Sequence, residues 1–144
     1  MLLSKRKSGT GKTAVFAIVT LQLVDPEKDE IQCLILSPTR ELAYETSFVY
    51  QVLGEFLNVK VSLLIEGTIV NADIHKLKEG SQILVGSPGR ALDLIKRKRI
   101  SLSYLQTFIL DEADEILSKG FLDTIKKIIS LIPKNITFFL LLNL

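Results

Sequence analysis

The sequence predicts an α/β protein, a three-layer structure in which a parallel sheet carries helices on both faces. Two observations lead there. Short runs of branched or aromatic apolar residues alternate with longer runs whose apolar residues recur at helical spacing. Strand, helix, strand, repeated in that way, folds into a parallel sheet covered on both sides. In addition, a polar cluster follows each of four predicted strands: "SGTGKT", "SPTRE", "SPGR" and "DEAD". In an open parallel sheet the carboxyl ends of the strands share one edge, and ligands bind there.

The elements follow in order. "MLL" is the stub of a first strand, and "KTAVFAIVTLQLV" (12–24) is the helix after the glycine-containing loop. "CLILS" (33–37) reads as a strand and "RELAYETSFVYQVLGEFL" (40–57) as a helix. "VKVSLLI" (59–65) and "QILVG" (82–86) are strands on either side of the helix "ADIHKLKE" (72–79). The helix "PGRALDLIKR" (88–97) comes next, then the strand "TFILD" (107–111), the helix "GFLDTIKKIISLI" (120–132) and the strand "ITFFLLL" (136–142). Unbroken apolar runs of this length suit strands buried on both faces, and the longer runs carry one apolar stripe each. Pro88 suits the first turn of its helix, where a missing N–H costs little. Pro38 closes a strand, while Pro26 and Pro133 mark loops.

With 144 residues, 47% of them hydrophobic and 24% charged, the chain reads as one domain with a real core and not as a disordered segment. It contains no repeat, low-complexity tract or linker. No apolar run reaches the roughly 18 residues that a membrane span needs. "MLLSKRKSG" places leucines ahead of basic residues, the reverse of a secretory signal. One cysteine, Cys33, can form no internal disulfide. These features point to an intracellular protein of the cytoplasm or nucleus. A net charge of +2 is too small to argue for nucleic acid, so that argument has to come from local sites. Cys33 is expected in the core, His75 on the surface, and "KRKR" (96–99) at a solvated helix end. Tyr44, Phe48 and Tyr50 are expected to pack and not to stack on bases.

The chemistry begins at "RKSGTGKT" (6–13), which nearly spells the phosphate-cradling loop GxxxxGK[ST], with Arg6 in place of the first glycine. Gly9 and Gly11 let backbone N–H groups face phosphate oxygens at the positive end of a helix. Lys12 would reach the β- and γ-phosphates, and the Thr13 hydroxyl would ligate Mg²⁺. Taken alone, a basic glycine-containing tail fits the stretch as well. "FILDEAD" (108–114) ends an apolar strand in acids: Asp111 would position Mg²⁺, and Glu112 would orient or deprotonate the attacking water. An acidic first turn of a helix is the competing account, and the upstream glycine loop weighs against it. Arg40 and Arg90 each follow a proline-containing turn (Pro38, Pro88), and Gly89 admits a close backbone. Such turns suit contacts to a phosphate backbone, and they suit arginines paired within the fold equally. Gly67 marks a turn after the third strand.

Together "SGTGKT", "PTRELA", "SPGR" and "LDEAD", in this order and at this spacing, resemble the first RecA-like domain of a DEAD-box ATP-dependent RNA helicase, of the translation-initiation factor 4A-like group or a close branch. The resemblance covers essentially the whole chain from Lys7 onward. It implies a RecA-like P-loop NTPase fold with ATP and Mg²⁺ as cofactors. ATP phosphates would be bound by Ser8, Gly9, Thr10, Gly11, Lys12 and Thr13, and the metal by Thr13 and Asp111. It implies catalytic roles for Lys12, Asp111 and Glu112, and a coupling role for Asp114. It also implies contacts from Pro38, Thr39, Arg40, Glu41, Gly67, Pro88, Gly89 and Arg90 to the sugar-phosphate backbone of RNA. The family's work is ATP-driven local unwinding between two such domains. Against that pattern, Arg6 replaces a small residue, Glu66–Gly67 stands for a Gly-Gly pair, and "LNL" (142–144) stands for the Ser-Ala-Thr of motif III. The sequence is therefore expected to be a single domain, 1–144, incomplete at its N-terminus, ending at motif III and lacking the second helicase domain. Alone it is expected to be inactive or very weak. A non-catalytic RNA- or protein-binding module on the same fold is the alternative.

Overall fold

The computed structural model describes residues 2–5, 10–66 and 80–142, with backbone alone for 2–5 and 10–12. Among them six strands form one parallel sheet: β1 (Leu2–Lys5), β2 (Cys33–Leu36), β3 (Val61–Leu64), β4 (Ile83–Gly86), β5 (Thr107–Leu110) and β6 (Thr137–Leu142). Their spatial order is β1-β6-β5-β2-β4-β3, and every pairing is parallel. The described helices are α1 (Thr10–Gln22), α2 (Arg40–Glu55), α3 (Pro88–Lys96), α4 (Ala113–Ser118) and α5 (Leu122–Leu131).

Side-chain alternation along the strands builds two cores. Cys33, Ile35, Ile83, Val85 and Ile109 face one side and pack with Ala17 and Leu21 of α1 and Ala43 and Tyr50 of α2. Leu34, Leu36, Leu84, Phe108 and Leu110 face the other and meet Ala91 and Leu94 of α3, Ile116 of α4, and Ile125 and Ile128 of α5. The three-layer expectation therefore holds. Two ring contacts close the sheet around β6: Phe16 meets Phe139 edge-on at 5.4 Å, and Phe108 meets Phe138 at 5.6 Å.

Several boundaries move for identifiable reasons. The stub at the N-terminus is a strand that pairs with β6, Leu3 opposite Leu140. β3 starts at Val61 and not Val59. Its approach is held by side chains and by α2: the Lys60 N–H donates to Gln82 Oε1 at 2.7 Å, and the Val59 N–H donates to the Gly54 carbonyl at 2.9 Å. α4 is a six-residue helix that the periodicity did not resolve as an element. Tyr50 is buried as expected, whereas Tyr44 and Phe48 are 60% and 58% exposed, because they lie on the solvent side of α2, opposite Ala43, Thr46, Ser47 and Tyr50. Pro88 occupies the first turn of α3, Cys33 is core, and residues 96–99 are an exposed helix end. The predicted helix over 72–79, with His75, lies outside the described residues. No helix among the described residues is long and apolar enough to cross a membrane.

Candidate functional site

Strand register brings three of the polar clusters, those after β2, β4 and β5, onto one edge. Leu64, Gly86, Leu36, Leu110 and Leu140 stand in one row across β3, β4, β2, β5 and β6. The ladder continues a residue beyond the strands: Ser87 N–H donates to the Leu64 carbonyl, Ser37 N–H to Gly86, and Asp111 N–H to Leu36, at 3.1, 3.0 and 2.8 Å. Ser87, Ser37 and Asp111 therefore form the next row. Pro38, Pro88 and Glu112 follow them directly, although Pro38 and Glu112 are 74 positions apart in sequence.

Asp111 is 2% exposed, and one of its carboxylate oxygens, Oδ2, accepts a 3.0 Å hydrogen bond from Thr46 Oγ1 on α2. Glu112, next to it, is 7% exposed and adopts a left-handed backbone, φ 51° and ψ 53°. A non-glycine residue pays of order 1–3 kcal/mol for that conformation. The result is an abrupt change from β5 into α4, whose first turn hangs on the Glu112 carbonyl through the N–H groups of Glu115 and Ile116. Asp114 is exposed on that turn.

Thr13, in the first turn of α1, is buried, and its hydroxyl has no hydrogen-bond partner among the described residues. It lines a cavity of about 10 Å³ together with Thr46, Tyr50 and Asp111, under apolar walls that include Phe16 and Ile109. That is room for about one water-sized species. A hydroxyl and a carboxylate are hard oxygen donors, the set that Mg²⁺ prefers, so these residues fit such an ion. Thr10, Gly11 and Lys12 already belong to α1, which begins two residues earlier than the sequence suggested. Ser8 and Gly9 lie outside the described residues.

A second cluster forms where the ends of β3, α2 and α3 meet. Thr39 caps α2, its hydroxyl accepting from the Leu42 N–H at 3.1 Å. Arg40 is exposed and donates from Nη1 to the Glu66 carbonyl at 3.3 Å. Arg90 is 8% exposed, donates from Nε to the Ile65 carbonyl at 3.3 Å, and lies 3.9 Å from an Asp93 oxygen. Pro38 and Pro88 are buried, Thr39 and Gly89 half-buried, and Glu41 exposed. The Glu66 carboxylate lies against Gly89, where a Cβ would strike its Oε1. Of the arginines expected at a phosphate backbone, Arg40 is thus open to solvent, and Arg90 is built into the turn after β3. Gly67 lies outside the described residues. Thr46 was not singled out from the sequence; the available signal was a threonine at the buried phase of the helical stripe that also holds Ala43, Ser47 and Tyr50.

A parallel sheet between helix layers, with strand-tip acids on its carboxyl edge, is the architecture of a RecA-like domain. The family model "DEAD/DEAH box helicase" matches residues 1–142. The ATP-dependent RNA helicase eIF4A of Mycosarcoma maydis is 44% identical over 93% of this chain and 33% of that protein. The ATP-dependent RNA helicase FAL1 of Scheffersomyces stipitis is 44% identical over 93% and 34%. Among solved structures, a DEAD box protein from the hyperthermophile Methanococcus jannaschii superposes with a TM-score of 0.91 at 37% identity, over 98% of this chain and 38% of that one. S. cerevisiae Dbp5 bound to RNA and ADP BeF3 gives 0.83 at 34% identity, over 97% and 35%. The chain belongs to the DEAD/DEAH box helicase family and spans about a third of the length of the curated relatives it matches.

Proposed function

We propose that this chain is the ATP-binding part of a DEAD-box RNA helicase and couples ATP binding and hydrolysis to the gripping and local unwinding of RNA. The observation that carries the reading is the meeting of the Thr13 hydroxyl and the Asp111 carboxylate at one small cavity beneath the first turn of α1. Thr13 and Asp111 would hold Mg²⁺, which when bound neutralises charge on the transferring phosphoryl group. The residues Ser8 to Thr13 bind the phosphates, with Lys12 supplying a positive charge at the β/γ end. Glu112, held by its left-handed backbone beside Asp111, orients the attacking water, and Asp114 faces outward to couple the site to motif III. Pro38, Thr39, Arg40, Glu41, Gly67, Pro88 and Gly89 line the path of an RNA backbone, and Arg90 acts there by holding the Ile65 carbonyl. Contacts of this kind carry little base information, so the grip is largely indifferent to sequence.

Phosphoryl transfer also needs positive charge from a second domain. The 144-residue chain alone should bind Mg·ATP and turn it over barely. Titration with a fluorescent ATP analogue, comparing the natural chain with Lys12→Ala, tests the binding. Equal affinities would remove the nucleotide reading. ATPase assays with and without single-stranded RNA test the rest, and robust RNA-stimulated turnover by this chain alone would refute its dependence on a second domain. Glu66 favours a second reading, a non-catalytic binding module, since its carboxylate occupies the turn where a phosphate would sit. That reading predicts unchanged binding of a protein partner in Lys12→Ala with no nucleotide binding in either form.

A further inference from the structure

Two hydroxyl residues, Thr46 and Ser47, lie on the buried side of α2. Ser47 donates to the Tyr44 carbonyl of its own helix at 2.8 Å, whereas the Thr46 hydroxyl reaches off the helix. Thr46 is 3% exposed, and the cavity it lines has Phe16, Ile35, Ile109 and Leu141 as apolar walls. Valine fills the same volume without a hydroxyl that must be satisfied, and burying an unsatisfied hydroxyl is costly. The hydroxyl instead donates to Asp111 Oδ2 at 3.0 Å, across 65 positions of sequence. We propose that Thr46 is a positioning residue for the metal-binding carboxylate, resting on the reading above that Asp111 holds Mg²⁺.

The physical argument concerns orientation. A carboxylate offers about four lone-pair directions over two oxygens, and its terminal torsion is soft. A donor fixed to a helix takes one of those directions and sets the plane of the group. The remaining directions are then presented to a cation in one arrangement. Outer hydrogen-bond donors of this type hold metal ligands in place, and their removal typically lowers metal affinity 10–100-fold. α2 is itself fixed: Thr39 caps it, and Tyr50, one turn beyond Thr46, donates to Thr20 of α1 at 3.3 Å. The hydroxyl of Thr13, which lacks a partner among the described residues, lines the same water-sized space. One donor already bonded to the carboxylate, one hydroxyl awaiting a partner and room for one small species therefore coincide.

The test compares the natural chain with Thr46→Val and Thr46→Ser, titrating each with a fluorescent ATP analogue in excess Mg²⁺ and again in EDTA. Circular dichroism melts in EDTA accompany each titration. Thr46→Val should lose about tenfold of the gain in affinity that Mg²⁺ confers, with its metal-free affinity unchanged. Thr46→Ser, which keeps the hydroxyl, should restore the gain. A Thr46→Val protein with an undiminished Mg²⁺ gain would overturn the proposal. So would equal weakening with and without the metal, which is what a purely structural role predicts. A natural chain that binds no nucleotide in either condition would instead fail the underlying reading, and the proposal with it. The natural chain's own Mg²⁺ response thus separates the two failures.

Discussion

Glu66 puts a negative charge where a phosphate-gripping surface gains nothing from one. Its carboxylate rests against Gly89, and its carbonyl accepts from the Arg40 guanidinium at 3.3 Å. A phosphate arriving at this turn meets a like charge on an exposed side chain, and it competes for an arginine already engaged with backbone. Exposed charge pairs are worth about 0.2–1 kcal/mol, so Glu66→Gln should tighten single-stranded RNA binding by up to about fivefold. The gain should shrink as salt rises, because screening weakens the repulsion it removes. Fluorescence anisotropy at 50 and 300 mM salt would show it, and an unchanged affinity at low salt would mean that RNA does not pass this turn. Two neighbouring glycines divide on the same physics. At Gly86 a Cβ would lie 2.5 Å from the backbone carbonyl oxygen of Leu64 on the adjacent strand, which cannot yield without shifting the sheet. At Gly89 the obstacle is the far end of the Glu66 side chain, which can swing away. Gly86→Ala should therefore cost about 1–3 kcal/mol, and Gly89→Ala well under that, as urea denaturation would reveal.

Among the elements, α2 links the two clusters of the site, with Arg40 in its first turn and Thr46 against Asp111. Its N-cap is the side chain of Thr39. Thr39→Ala should destabilise the fold by about 1 kcal/mol, while Thr39→Ser should restore most of that loss in thermal melts. A neutral Thr39→Ala would mean that α2 is held by its buried face alone. The strands were legible because Cys33–Leu36, Ile83–Gly86 and Thr107–Leu110 are buried at every position, so each reads as an unbroken apolar run. α1 and α3 were legible from spacing and from Pro88. What escaped depended on contacts remote in sequence or on unusual backbone. β3 begins late because the side chain of Gln82, the residue before β4, engages the Lys60 N–H. α4 is too short to show a period, and it starts from a left-handed glutamate that no propensity favours. The positions of Pro38, Pro88, Asp111 and Glu112 at the strand ends were legible from their types and spacing. Thr46 was not, since its meaning comes only from Asp111, which the fold carries to it. Arg90 looked the same as Arg40 in sequence, and only the turn after β3 distinguishes the buried one from the open one.

For the molecule as a whole, the single thiol reports the integrity of the sheet. Cys33 opens β2, a central strand that pairs with β4 and β5, and it is 1% exposed. Burial pushes its thiol well above the ordinary range near 8.5, because a thiolate in that apolar layer would lose its hydration. The sign of the linkage follows. Below about pH 8 both states hold the proton, and the stabilisation is fully present. Above the unfolded value the unfolded chain releases its proton while the folded chain keeps it. The unfolded state then binds fewer protons, and stability falls as pH rises, by at most about 1.4 kcal/mol per pH unit from this group. Urea denaturation between pH 7 and pH 10 should show that fall. Cys33→Ala should be less stable at pH 7 from lost side-chain volume, yet show a shallower decline above pH 8.5, since every other group is common to both proteins and only the difference belongs to the thiol. A thiol-labelling reagent supplies the kinetic counterpart. Native protein should label no faster than it unfolds globally, because exposing Cys33 requires separating β2 from both neighbours. Labelling at the rate of a free thiol under native conditions would show that the centre of the sheet opens without global unfolding.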